Sequence, residues 1–176
     1  MSFELNRTLG AWLTILNNRT IEEIYQVDFT DDRFNDNHLP WIFFITFNDF
    51  DKYLEIEGDF NGDYIKISLA DAVELNKKIE ENNQPNLWTV YQTTQADSIW
   101  KALGRTVKKI EYGIDKEEFE INGTKIKGQK DVFTFIRFHF DNDSMTIFEG
   151  GTGLFCTDDL NVKLNFEETF DKYETR

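Results

Sequence analysis

The sequence predicts an α+β fold in which two related halves share an antiparallel β-sheet with flanking helices. Three observations predict it. The stretch RTIEEIYQVDF at residues 19–29 returns as RTVKKIEYGID at 105–115 on the same hydrophobic frame. Further on, WIFFITFNDFDKYLEIEGDFNG at 41–62 reads against VFTFIRFHFDNDSMTIFEGGTG at 132–153. This sets Phe44, Ile45 and Phe47 against Phe135, Ile136 and Phe138, and Glu57-Gly58 against Glu149-Gly150. Finally, the matched blocks are strand-sized and rich in β-branched and aromatic residues, as half-buried strands are. Two copies are too few for a solenoid, so a pseudo-twofold pair is expected.

Each element follows from local pattern. Leu9, Trp12, Leu13 and Leu16 recur at helical spacing, and Asn17-Asn18 supplies a stop. Residues 20–29 and 106–114 alternate as half-buried strands, whereas 41–47 and 132–140 are more uniformly apolar and read as central strands. Asn61-Gly62 accepts positive φ and predicts a tight turn within 59–64. Residues 68–82 predict a helix capped by Ser68, with Leu69, Ala72, Val73 and Ile79 on one face. The polar stretch 83–97 reads as a connection, and Ile99, Trp100 and Leu103 as a short helical pattern ended by Gly104. Near the end, Val162, Leu164 and Phe166 alternate before a charged tail. The organisation expected is therefore a first helix-plus-strands repeat at 1–82, a connection at 83–97 and a second repeat at 98–176, in one compact domain with a shared core.

Composition sets bounds on function. The 176 residues include 17 Phe, 4 Trp and 6 Tyr, enough apolar bulk for a self-sufficient core. The N-terminal stretch MSFELNRTLGAWLTILNNRT is interrupted by polar residues, so it predicts neither a signal peptide nor a membrane span. One cysteine, Cys156, makes no internal disulfide and fits a reducing compartment, so the cytoplasm is expected. Nineteen basic against 33 acidic residues give a net charge of −14, which repels nucleic acid and anionic membrane and suits a basic partner. The excess is uneven: residues 1–88 hold 7 basic and 17 acidic groups, residues 89–176 hold 12 and 16.

Signatures for nucleotide, zinc and redox chemistry are missing from the sequence, so no cofactor and no metal are expected. His38 and His139 are the only histidines, too few for a histidine metal site. Cys156 with His139 has the residue types of a thiolate nucleophile and its base, yet a lone cysteine between Phe155 and Thr157 reads better as a small buried hydrophobe. The acidic stretches at 28–37 and 140–149 lack the ligand spacing and central glycine of a calcium loop. Alternation puts Glu55 and Glu57 on one strand face, with Glu149 matched to Glu57. Glu57, Glu149 and His139 therefore outline one alternative, a small-ligand or hydrolase pocket between the halves.

The stronger signal is electrostatic. Asp28, Asp31, Asp32, Asp36, Asp49, Asp51, Glu55, Glu57, Asp59 and Asp63 crowd one region against only Arg33 and Lys52. Gathered outward at turns, they would steer a basic protein, with Trp41 and Tyr53 as aromatic anchors and Trp88 and Tyr91 as further aromatics near these segments. A partner surface of Asp28, Asp31, Asp32, Asp36, Asp49, Asp51, Trp41 and Tyr53 is the expectation.

The run WKALGRTVKKI at 100–110, followed by MTIFEGGTGL at 145–154, resembles small acidic bacterial immunity proteins of polymorphic and contact-dependent toxin systems. The resemblance covers about the second half of the chain. It implies a cytoplasmic, non-enzymatic inhibitor that blocks a toxin's active site or an adjacent exosite, acidic surfaces competing with phosphate where the toxin is a nuclease. It carries over no individual site residue.

Overall fold

The computed structural model describes residues 9–29, 39–59, 64–115, 118–127, 133–151, 153–158 and 170–176. Helix α1 covers residues 9–14 of this range and buries Leu9 and Leu13. Five strands follow in the first half: β1 (Ile21–Phe29), β2 (Pro40–Phe47), β3 (Lys52–Gly58), β4 (Ile65–Asp71) and β5 (Trp88–Gln92). Helix α2 (Leu75–Asn82) lies between β4 and β5. The second half contains β6 (Lys109–Asp115), the hairpin β7 (Glu118–Ile121) and β8 (Thr124–Lys127), then β9 (Phe133–His139), β10 (Ser144–Glu149), β11 (Leu154–Thr157) and β12 (Phe170–Glu174).

All the pairings are antiparallel, as predicted. They form a ten-stranded sheet made of two runs, β5-β1-β2-β3-β4 and β12-β6-β9-β10-β11, joined at Ile65 opposite Phe133. The β7–β8 hairpin stands apart as a two-stranded sheet. The two runs also meet where β1 and β6 begin. Ile21 N–H donates to the Arg105 carbonyl (3.0 Å) and Val107 N–H to that of Arg19 (2.8 Å), while Asn18 N–H reaches Val107 (2.6 Å) and Gly104 N–H reaches Ile21 (2.9 Å).

One hydrophobic core draws on both halves, which is why neither run of strands has to be stable alone. Leu13, Leu16, Ile24, Phe43, Ile45, Leu54 and Ile56 from the first pack with Val107, Ile110, Ile136, Phe138, Met145 and Ile147 from the second. A bulge in β1, where Ile21 faces Phe47 and Glu23 faces Thr46, lets Ile21 and Ile24 both point into this core despite an odd spacing. A smaller cluster of Val27, Phe44, Tyr53 and Leu75 fills the outer face of the first run beneath α2. Among the described residues no helix is long and apolar enough to cross a membrane.

Two local expectations are corrected. The helix expected at 68–82 starts later, at Leu75, because Ile65–Asp71 pairs with β3: Ser68 sits opposite Glu55 instead of capping, and Val73 is 90% exposed. Ile67 and Leu69 face the shared core while Ala70 faces the outer cluster, a period of two that the short apolar window did not separate from a helical one. The connection at 83–97 contains β5, which pairs along β1 from Tyr25 to Phe29. The pattern at 98–103 forms a 3-10 turn at Ser98–Ala102 that buries Ile99 and Ala102. The Asn61-Gly62 turn and the alternation at 162–166 lie outside the described residues. The β7–β8 hairpin carries its signal in the dipeptide at its turn. Asn122-Gly123 takes the positive φ values of 53° and 77° that such a dipeptide accepts.

Candidate functional site

The predicted acidic surface does not gather in one place. Asp31, Asp32 and Asp36 lie outside the described residues. Asp28 points inward from β1, 8% exposed, and accepts a 2.8 Å hydrogen bond from the Tyr91 hydroxyl. Asp49 and Asp51 are exposed in the β2–β3 turn, at the other end of β2, roughly 25 Å away at strand rise. Tyr53 is no surface anchor: it is buried beneath α2, edge-on to Phe44 at 5.7 Å. Trp41 is half-buried and packs edge-on against Trp88, 6.4 Å between ring centres, at the Asp28 end. The reason is alternation. A carboxylate inside a strand goes in or out with its parity, whatever its neighbours in sequence do.

What does gather at the β2–β3 end is a different acidic edge. The Asp51 carbonyl accepts from Ala72 N–H at 2.7 Å, which brings exposed Asp71 and Glu74 beside Asp49 and Asp51. Lys52 pairs with Asp71, and the Arg19 guanidinium donates to the Asn48 and Asp49 carbonyls.

The alternative trio of Glu57, Glu149 and His139 is not brought together either. Phe44 lies opposite Glu55 and Phe135 opposite Phe148, so the register makes Gly150, and not Glu149, the counterpart of Glu57. A shift of one residue changes faces. Glu57 lies on the outer face, 3.2 Å from Lys66, while Glu149 shares the inward parity of Met145 and Ile147. His139 lies opposite Ser144, roughly 17 Å along β10 from Glu149. There it meets Glu111 at 3.0 Å, which also accepts from Arg137 at 3.2 Å, while Arg137 donates to the Thr146 hydroxyl at 2.7 Å.

Glu149 is an unusual carboxylate. Its Oε1 accepts from the Gly151 and Gly153 N–H groups at 3.0 Å each, and its Oε2 is buried without a partner among the described residues. The close approach needs Gly58, where a Cβ would lie 2.2 Å from Oε2. Burial raises the carboxyl above the ordinary glutamate range, against the opposing pull of the loop N–H groups. A raised folded-state value means that protonation favours the fold. The contribution is therefore full at low pH and fades as pH climbs from the ordinary glutamate range through the raised one. Glu149→Gln is expected to flatten that part of the stability profile relative to the natural chain. Urea unfolding from pH 4 to 8 measures it, and parallel profiles would contradict the assignment.

The seam between the halves holds the polar inward groups that the sequence reading missed. A hollow of about 210 Å³ opens among Gln26, Phe43, Tyr91, Asp97, Leu154 and Cys156. A second, of about 430 Å³, is lined by Ile24, Thr93, Trp100 and Leu103. Gln26 is 2% exposed and its Nε2 has no partner among the described residues; the same holds for the buried Thr93 hydroxyl. Desolvation and the hydrogen bond to Asp28 push the Tyr91 hydroxyl far up, so it serves as a donor. Burial and nearby Asp97 likewise keep the Cys156 thiol protonated, which removes the thiolate a nucleophile needs. The sequence hid them: Gln26 and Asp28 share the polar phase of Thr20 and Glu22, and only the bulge between Ile21 and Glu23 turns that phase inward with Ile24.

Among the described residues no cluster of three or more His, Cys, Asp or Glu side chains is placed to hold a metal. Comparison with protein-family models, curated proteins and solved structures finds no match to this chain.

Proposed function

We propose that this chain is a non-enzymatic acidic binding protein of the bacterial cytoplasm, an inhibitor or immunity protein whose partner is a basic protein such as a toxin domain. The observation that carries the reading is the distribution of ion pairs. Nine lysines and arginines among the described residues are already held by carboxylates of the same chain. The surplus behind the net charge of −14 is therefore left on acids. Glu22, Glu23, Asp49, Asp51, Glu74 and Glu80 have no ion pair among the described residues, and Asp49, Asp51 and Glu74 share the β2–β3 end. Such a field speeds encounter with a basic surface and is screened over about 10 Å at 0.1 M salt.

The test is capture from host lysate and secreted fraction at low and high salt. A basic protein retained at low salt and released at high salt is expected, and its toxic activity should fall when this chain is added. The triple charge reversal Asp49→Lys, Asp51→Lys, Glu74→Lys is expected to slow association by about tenfold or more at low salt, with the salt dependence flattened. An unchanged association rate would end the steering role of this edge.

We further infer that the halves are copies of one unit. Thr20 and Thr106, 86 positions apart, meet across the junction with their hydroxyls 3.0 Å apart. Exchanging residues by that same interval turns the Ile21-to-Arg105 bond into the Val107-to-Arg19 bond, and the Asn18-to-Val107 bond into the Gly104-to-Ile21 bond. Asn18 and Gly104 share positive φ, 66° and 75°. The agreement extends to strands outside the original match. β5 pairs Trp88–Gln92 with Phe29–Tyr25, and β12 pairs Phe170–Glu174 with Asp115–Glu111. The next residue of each, Thr93 or Thr175, donates its N–H to the Ile24 or Ile110 carbonyl, at 2.8 and 2.7 Å. WTVYQT and FDKYET then close equivalent units.

A further inference from the structure

We propose that the 210 Å³ hollow in the seam is a binding site for a small uncharged molecule with a ring-sized apolar body and one hydrogen-bond-accepting oxygen. The site is independent of the acidic edge at the β2–β3 end.

Size, walls and polarity each define the ligand. An engineered apolar cavity of about 150 Å³ is enough to take up benzene, so this hollow has room for a ring with a short substituent. Phe43, Ile99 and Leu154 are buried and form apolar walls, and Phe155, 37% exposed, stands at the edge. Into this setting Gln26 brings a carboxamide whose Nε2 is buried without a partner among the described residues. Buried donors are almost always satisfied, so this one calls for an acceptor that the described residues do not supply. A ketone, ester or amide oxygen on the ligand meets that need.

Charge excludes the other classes. Among the described residues no lysine, arginine or histidine lines the hollow, whereas Asp97 does, so a carboxylate or phosphate ligand finds no cation there and meets an acid that repels it. A cation would have only Asp97 to pair with. The Asp97 Oδ2 already accepts from the Thr94 N–H at 2.7 Å and the Thr94 hydroxyl at 3.0 Å, and Tyr91 is spent on Asp28. The donor that remains would repel an ammonium group.

The two halves build the site jointly. Gln26 and Tyr91 come from β1 and β5 of the first run, Leu154 and Cys156 from β11 of the second, and Asp97 from the segment joining them. Gly153 lets the turn before β11 close tightly on Leu39 of the wall, since a Cβ there would meet Leu39 Cβ at 2.8 Å.

The experiment is a titration of the intact, isotope-labelled protein with acetophenone, followed by amide NMR, with toluene and benzoate as comparison probes. Saturable shifts of the Gln26 side-chain NH2 and of the Ile99 and Phe155 amides are expected with acetophenone. Toluene should bind at least tenfold more weakly, and benzoate should give no saturable shift. Gln26→Leu, which keeps the volume and removes the donor, should bring acetophenone and toluene within about twofold of each other. If that variant loses its dispersed spectrum, Ala96→Trp serves in its place, because Ala96 is exposed at the edge of the hollow and the indole would fill it. That variant should abolish the shifts. No saturable shift up to the solubility limit of acetophenone would overturn the proposal, the amide's partner then being water. Equal binding of benzoate, a Gln26→Leu variant that keeps the preference for acetophenone, or shifts that survive Ala96→Trp would overturn it as well.

Discussion

Glu111→Ala is expected to lower the unfolding free energy by about 3–5 kcal/mol, the cost of leaving a buried charge without its counter-ion. The Arg137 and Glu111 side chains are only 12% and 9% exposed, so neither charge is well hydrated once its partner is gone. His139 loses the same carboxylate. Two comparisons separate this cause from a general loss of packing. The exposed Lys77–Glu81 pair on α2 has the same chemistry in water, and Glu81→Ala should cost less than about 0.5 kcal/mol. The double variant Glu111→Leu, Arg137→Met removes both charges and should recover most of the loss, since an apolar pair of similar volume replaces a buried ion pair at little or no cost. Urea unfolding followed by tryptophan fluorescence reads all of these. A cost below about 1 kcal/mol for Glu111→Ala would show that water reaches Arg137 freely.

Phe138→Ala should cost a similar amount, about 3–5 kcal/mol, for a different reason. Phe138 is 1% exposed on β9 and sits in the core that both halves fill. Because Ile24, Ile45 and Leu54 belong to the same cluster, the cavity left by the ring is expected to weaken the first half along with the second. Native-state hydrogen exchange resolves this. The amides of Ile45 and Ile147 should lose protection together, within a single cooperative unfolding. If Ile147 exchanged faster while Ile45 did not, the halves would be separate folding units.

The expected partner surface fared unevenly, and particular residues show why. Asp49 and Asp51 fall in a turn, where sequence position and surface position coincide, and both are exposed. Asp28 and Tyr53 lie inside strands, where exposure depends on the phase of alternation and on whether a second layer covers the outer face. Helix α2 covers that face over Tyr53, a fact that no window around residue 53 contains. For Glu57 and Glu149 the obstacle was alignment. Matching Glu-Gly to Glu-Gly was the better fit of letters, but the β2–β3 and β9–β10 registers differ from it by one residue, and one residue moves a side chain to the opposite face.

By itself the sequence determined that this chain is an acidic antiparallel α+β protein. Its strands at 21–29, 40–47, 109–115 and 133–139, and the apolar residues that line its core, follow from composition and period, which act over a few residues at a time. Only the tertiary structure decided which carboxylates share a face, that β5 and β12 close the two runs of strands, and that Gln26 ends beside Leu154 with its amide unmatched. Those outcomes depend on pairing between residues as far apart as Thr20 and Thr106, 86 positions, and pairing energy is collected only once the whole sheet has chosen its register.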